Sequence, residues 1–361
     1  MKGAPRRSAL QTGVLFIALI VGPAFASTCS RCGRDVTDML PPGAPVPSRV
    51  LSPTPHDLRV ALGASAPPLP ASVDWRRVNG TSYTTRVGYQ LLPSPCGSCW
   101  AFASAGALAD RVKIATGGLL PDFNLAPQAL LDCAAPDAGS CLGGSHVLAC
   151  ERPDAPAHQS GAPPLPPPGV TCAVPPFHPH ADAFAAETGL PDETCLPYKG
   201  MDFSNWGETD CADRLCRRCD RFGACSFLPR NATPLVRAAE HGNLTGVDAM
   251  KAEIAARGPI ACLMYAHADT FEDYAGGVIT DATRYDGITH VVAVVGWATD
   301  PASGLEAWIV RNSFGTQWGE LGYYRQKVGD DIYNMESSMC AWATPDDESV
   351  GALLARSGMV S

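Results

Sequence analysis

The residues with the plainest chemical potential lie in Pro95-Cys96-Gly97-Ser98-Cys99-Trp100-Ala101-Phe102, which runs on through small and apolar residues with almost no β-branching to position 111. Such a run predicts a helix approached by a tight, glycine-bearing turn, with Cys99 in its first turn. A thiol there sits at the positive end of the helix dipole, beside backbone N–H groups that lack a partner within the helix. Both features favour the thiolate, and the same N–H groups can stabilise an oxyanion formed next to the sulfur. A thiolate nucleophile also needs a base within hydrogen-bond reach and a third group to orient that base. Gly287-Ile288-Thr289-His290-Val291-Val292 places a histidine at the start of a β-branched strand, and Trp308-Ile309-Val310-Arg311-Asn312-Ser313 places an asparagine at the end of another. Each residue also has a plainer use, as a bridge cysteine, a core histidine or a turn asparagine.

The elements that must position these residues fall into two groups. Helices are predicted at 126–133, running into Cys133, and at 181–189, closed by Gly189, with Cys141-Leu142-Gly143-Gly144 as a tight turn between them. A further helix is predicted at 247–257, and β-branched and aromatic runs at 260–265, 289–297, 307–310 and 322–328 read as strands. A helical first half and an antiparallel second half make an α+β fold of two subdomains, and the cleft between them is the natural place for a site.

The chain of 361 residues, with 46% hydrophobic and 17% charged content, can bury a sizeable core, and its net charge of −9 gives no basic footprint for nucleic acid or an anionic membrane. Residues 1–26 read as a secretory signal: Lys2, Arg6 and Arg7 precede an apolar run, and Ala24-Phe25-Ala26 is a cleavage site. No later segment is long enough to span a membrane, so the expected product is soluble in an oxidising compartment, where Asn79, Asn231 and Asn243 are glycosylation candidates. Residues 27–68, rich in Pro, Ala and Ser, read as a pro-segment with two cysteines, Cys29 and Cys32. The compact domain is expected over 69–345, with 346–361 as a tail. Residues 150–180, nearly all proline at 164–168, interrupt it in the middle of a helix.

Fifteen cysteines in such a compartment imply a disulfide framework with one thiol left over; a form beginning near Leu69 keeps thirteen, again an odd number. Cys216-Arg217-Arg218-Cys219 has a zinc-like spacing, but lumenal thiols oxidise and histidine partners at ligand spacing are missing. No metal or cofactor is expected. A redox role for Cys96-Gly97-Ser98-Cys99 would call for a preceding βαβ pattern, which is not there.

Taken together, Cys96-Gly97-Ser98-Cys99-Trp100-Ala101-Phe102, Cys141-Leu142-Gly143-Gly144, Thr289-His290-Val291 and Ile309-Val310-Arg311-Asn312-Ser313 resemble the papain family of cysteine peptidases, over roughly residues 69–343. The resemblance implies a papain-like α+β fold with Cys99 as nucleophile, His290 as general base and acid, Asn312 holding the imidazole, and Gln90 lending its side-chain amide to the oxyanion hole. It adds Leu91, Leu92, Pro93, Gly143, Gly144 and Trp318 as substrate-binding positions. It implies peptide or protein substrates, a monomer, and a lysosomal or secreted protein. A catalytically silent binding protein would be expected to lack one of Cys99, His290 and Asn312.

The resemblance also assigns the bridges Cys96 with Cys141, Cys133 with Cys211, Cys195 with Cys216, Cys219 with Cys225, and Cys262 with Cys340. Cys150 and Cys172 then remain, inside the interruption at 150–180. That interruption is either a surface loop stapled by those two cysteines or, the reading preferred, a retained intron, since removing it rejoins 144–149 to 181–184 as one helix. In the zymogen, Cys29 or Cys32 either caps Cys99 or bridges the other.

Within the family, a carboxypeptidase branch carries a three-residue mini-loop that narrows the primed side of the cleft and offers a histidine to the substrate's terminal carboxylate. The spacing from Gln90 to Cys96 matches that branch, but the loop here is Leu91-Leu92-Pro93, with Leu91 at the histidine position. A charge-assisted hydrogen bond is worth about 1.5–3 kcal/mol, so preference for a free C-terminus is expected to weaken by roughly one or two factors of ten unless another donor substitutes. An endopeptidase is the alternative. Phe314 stands where the family usually places a tryptophan shielding the histidine and asparagine, a change expected to be modest.

Overall fold

The computed structural model describes residues 49–134, 139–141, 143–144, 180–202 and 215–357. The signal segment, Cys29, Cys32, Cys150, Cys172 and Cys211 lie outside them, as does the interruption at 150–180 apart from its last residue.

The described chain opens with helix α1 (Pro55–Leu62) and strand β1 (Val73–Asp74). The sequence gives residues 27–68 no apolar face and so predicts no element there; α1 forms from its caps instead. The Thr54 side chain accepts from the Asp57 N–H, the Asp57 carboxylate accepts from the Thr54 N–H, and Pro55 occupies a first-turn position that needs no donor. None of the helix's residues is buried.

The helical subdomain is built on α2 (Cys99–Ala115), α3 (Pro127–Cys133), the short pair β2 (Gly139–Ser140) and β3 (Gly143–Gly144), α4 (His180–Glu187) and β4 (Leu190–Pro191). Helix α2 carries small residues through its first turns, so neighbours approach it from several sides. Ala101, Ala105, Leu108, Ala109 and Val112 share a core with Ala129, Leu130 and Leu131 of α3 and Ala185 of α4. It ends at Thr116-Gly117-Gly118, where both glycines take positive φ.

Strands β5 (Arg217–Cys219) and β6 (Cys225–Phe227) form an exposed hairpin, and β7 (Leu235–Val236) pairs with β4. The second subdomain comprises β8 (Ala238–Leu244), α5 (Val247–Arg257), β9 (Ile260–Met264), the single-turn helix α6 (Asp269–Glu272), β10 (Val278–Ile279), β11 (His290–Thr299), β12 (Glu306–Arg311), β13 (Tyr323–Lys327) and β14 (Cys340–Pro345). Its eight-stranded sheet runs β10-β13-β12-β11-β9-β14-β8, with β1 added on β11; β10 and β13 are parallel and the other pairs antiparallel. The core holds the fully buried Trp297, Trp308 and Tyr324. Gly296 lies where β11 bulges against β12, and a Cβ there would fall 2.0 Å from the Val73 carbonyl oxygen, so β1 can close on β11 only at a glycine.

The C-terminal residues, read from sequence as a tail, form helix α7 (Asp347–Ser357); its Val350 is buried and Leu353 packs on the helical core. Helix α2 lies between the two subdomains, packed on α3 and α4 on one flank and on β9, β11 and β14 on the other. This places its N-terminus beside the start of β11. Disulfides join Cys96 to Cys141, Cys195 to Cys216, Cys219 to Cys225 and Cys262 to Cys340. Cys216 and Cys219 are thus committed to separate bridges and are not a ligand pair. Cys133 is also disulfide-bonded; Cys211, the partner assigned to it by resemblance, lies outside the described residues.

Candidate active site

Cys99 is the free cysteine among the described residues, buried at the first position of α2. Ser98 precedes it as N-cap but makes no capping bond; its hydroxyl turns instead to the Tyr198 hydroxyl, 2.6 Å away. The first N–H groups of the helix are therefore not consumed by the cap. The backbone N–H groups of Val291, Trp100 and Cys99 all lie against the sulfur and pull the thiol pKa down, while burial, the larger effect, pushes it up to about 11. Val291 directly follows His290, so this contact brings helix and strand together at the thiol.

The imidazole of His290 is fixed by Asn312. Its Nε2 lies 2.8 Å from Asn312 Oδ1, an oxygen that also accepts the Ser313 N–H at 2.8 Å. A carbonyl oxygen only accepts, so Nε2 carries the proton and Nδ1 keeps its lone pair. The ring is 5.1 Å from Phe314 and 6.0 Å from Phe271, and Phe271 and Phe314 both pack on Trp318. This aromatic box excludes water from the pair. Burial holds the imidazole down to about 4, opposed by the bond to Asn312 and reinforced by the charge of His267. Neither group keeps a lone charge in such a setting.

Gln90 is held from three sides. Its N–H donates to the Ser313 carbonyl at 2.9 Å, its Oε1 accepts from Ser313 Oγ at 2.6 Å, and its Nε2 donates to the Cys96 carbonyl at 3.1 Å. An amide nitrogen has two hydrogens, so one donor remains beyond the bond to Cys96. The Tyr198 hydroxyl donates to the Gln90 carbonyl at 2.8 Å and accepts from Ser98, tying the glutamine segment to the turn before the nucleophile. Sequence reasoning did not find Tyr198, which stands 100 residues from Ser98 in a segment with no chemical signature of its own.

The remaining candidates distribute around this centre. Leu91, Leu92 and Pro93 follow Gln90 as an exposed loop. Gly143 and Gly144 sit at the bridge that carries Cys141, whose carbonyl accepts the Gly97 N–H. Trp318 donates through its indole N–H to the Glu272 carbonyl at 3.2 Å. Asn79 and Asn231 are exposed, whereas Asn243 lies half-buried in β8.

A buried ion pair underlies the site. Asp110 of α2 takes a two-pronged contact from Arg311 of β12, with Nη1 to Oδ1 at 3.1 Å and Nη2 to Oδ2 at 2.9 Å; Thr85 N–H also donates to Asp110 at 2.6 Å. Arg311 immediately precedes Asn312, so the pair ties the nucleophile helix to the strand that orients the histidine.

A two-subdomain α+β fold with a free helix-start thiol against a histidine–asparagine pair defines a cysteine peptidase. The family model for papain family cysteine proteases matches residues 69–153 and 177–343, and the chain belongs to that family. It is similar to cathepsin Z of Onchocerca volvulus, 36% identical over 287 residues covering 77% of this chain and 78% of that relative. It is also similar to cathepsin K of Mus musculus, 31% identical over 71% of this chain and 59% of that relative. Among solved structures, digestive procathepsin L2 proteinase from Tenebrio molitor larval midgut aligns with a TM-score of 0.56 at 27% identity, over 81% of this chain and 72% of that one.

Proposed function

We propose that this protein is a thiol carboxypeptidase that removes single residues from the C-termini of peptides, with Cys99 as nucleophile, His290 as general base and acid, Asn312 as the residue that holds the ring, and Gln90 in the oxyanion hole. The observation that carries the thiol mechanism is the His290 ring fixed by Asn312 beside the Val291 N–H that touches the Cys99 sulfur. His290 Nδ1 takes the proton from Sγ, and the thiolate adds to the scissile carbonyl. The oxyanion is met by the Cys99 N–H and the remaining Gln90 donor. The imidazolium then gives its proton to the departing amine, leaving an acyl thioester. Water, deprotonated by Nδ1, hydrolyses that thioester and restores the thiol.

Removal of single C-terminal residues is supported by the likeness to cathepsin Z and by the three-residue loop Leu91–Pro93 between Gln90 and the nucleophile turn. The second reading is an endopeptidase, favoured by Leu91, whose side chain has no donor for a carboxylate. The protein works without a cofactor, as a monomer of the secretory pathway, on peptide or protein substrates. Before processing, Cys29 or Cys32 either caps Cys99 or bridges the other. No helix among the described residues is long and apolar enough to cross a membrane.

Labelling with a thiol-directed epoxide tests the nucleophile: Cys99→Ala should abolish it and Cys96→Ala should not, and labelling that survives Cys99→Ala overturns the assignment. Comparing release of the last residue with internal cleavage of one peptide at acidic pH, with and without reductant, separates the two specificities. Predominant internal cleavage would overturn the carboxypeptidase reading.

A further inference from the structure

The carboxypeptidase reading leaves a chemical gap. A substrate's terminal carboxylate needs a cationic donor on the leaving-group side of the cleft, and the mini-loop offers Leu91. The other elements that flank this end can be located from the hydrogen-bond pattern. Tyr89 bridges to Phe314, so the mini-loop lies against the segment that carries Phe314 and, beyond it, Trp318. Trp318 is in turn bonded to the carbonyl of Glu272. The mini-loop, Trp318 and the turn of α6 therefore border the same end of the groove.

The chain reaches α6 directly from beside the catalytic histidine. Met264, the last residue of β9, is paired in register with His290. Two residues on, the Ala266 N–H donates to Thr289 Oγ1 at 2.9 Å, holding this segment to the residue that precedes His290. The next residue is His267, and consecutive Cα atoms are about 3.8 Å apart. Its side chain is 61% exposed, its ring meets the edge of Tyr265, and its Nδ1 lies 3.4 Å from Glu272 Oε1. With Nδ1 turned to Glu272, Nε2 is left facing outward, and it donates there when the ring carries both protons.

We infer that His267 is the carboxylate receptor of this enzyme, binding the C-terminal carboxylate of a peptide substrate through its Nε2–H in place of the donor that the mini-loop lacks. The inference rests on the carboxypeptidase reading. Independent of it, the charge of His267 reaches His290 and contributes to lowering its pKa, which places the two rings within electrostatic range. A doubly protonated imidazole donates to Glu272 on one side, and a bound carboxylate accepts its second hydrogen bond. The residue belongs to the segment after β9 and not to the loop before the nucleophile, so specificity for a free C-terminus arises here from the sheet subdomain.

The test uses the processed, reduced enzyme on one peptide with a free C-terminus and on its C-terminal amide, at mildly acidic pH. Wild type should prefer the acid by roughly tenfold or more in kcat/KM, a charge-assisted bond being worth that much. His267→Ala should bring the two within about threefold, mainly through a rise in KM for the acid; His267→Lys should keep most of the preference. Because His267 is exposed, loss of fold is not the expected cost, and an unchanged melting temperature verifies this. Wild type that discriminates and a His267→Ala variant that discriminates equally overturn the role of His267 and leave the carboxypeptidase reading standing. Wild type that does not discriminate overturns both.

Discussion

Replacing Asp110 by asparagine isolates the clamp beneath the site. The Asp110 and Arg311 side chains are 0% and 5% exposed, and the guanidinium makes two bonds to the carboxylate plus two to Thr85, at 2.8 Å to Oγ1 and 3.1 Å to the carbonyl. Asparagine keeps one acceptor for Nη1 but sets an N–H against Nη2, leaving a buried cation without its counter-charge. Removing one partner of a buried pair typically costs about 3–5 kcal/mol, and the retained acceptor places this variant near the lower figure. Urea unfolding followed by tryptophan fluorescence, with disulfides intact, should show that loss, and kcat should fall with it because Arg311 adjoins Asn312. The double variant Asp110→Leu/Arg311→Met should recover most of the stability, since an apolar pair of similar volume has no charge to desolvate; the Thr85 N–H left unpaired costs about 1 kcal/mol of that gain. Gly106→Ala probes the same contact from another side, because its Cβ would lie 2.7 Å from Arg311 Nη2. A cost below about 1 kcal/mol for Asp110→Asn would refute the reasoning.

Three further outcomes can be checked. Leu91→His adds a donor to an exposed loop and should raise the preference for acid over amide substrates about tenfold, whereas an unchanged ratio means the loop does not face the carboxylate. Asp182 is buried in α4, and burial pushes its carboxyl up to about 7 against the pull of Arg111. Its folded-state pKa is raised, so its contribution to stability is present at low pH and is lost between about 4 and 7 as pH rises. Asp182→Asn should therefore stabilise the protein above pH 7 by on the order of 4 kcal/mol and do little near pH 4, by thermal melts across that range. In Cys99→Ala, which removes the thiol partner, His290 should stay neutral down to about pH 4 by NMR titration; titration near the ordinary histidine value of about 6.5 would show that the ring is not desolvated.

Much of the architecture was legible because it is local. The small-residue run after Ser98 marked α2, and the β-branched runs at 260–265 and 289–297 marked strands that the structure places at Ile260–Met264 and His290–Thr299. Helix α1 escaped because it is stabilised by capping and not by an apolar face, and α7 because its buried Val350 finds partners only in the folded helical core. Parity left one thiol over, and the structure leaves Cys99 free among the described residues. What parity did not supply was the environment of that thiol, which depends in part on an N–H group from a strand nearly two hundred residues away.

The sequence by itself determined the kinds of group present and the elements that carry them: a cysteine at a helix start, a histidine opening a strand, an asparagine closing the next. Only the tertiary structure decided their protonation and their company. Burial between two subdomains raises the thiol and lowers the imidazole, Asn312 selects which ring nitrogen is the base, and Asp110 meets Arg311 across 201 residues of chain. Desolvation and long-range pairing are properties of the packed chain, because they depend on which surfaces exclude water and not on the order of the residues that form them.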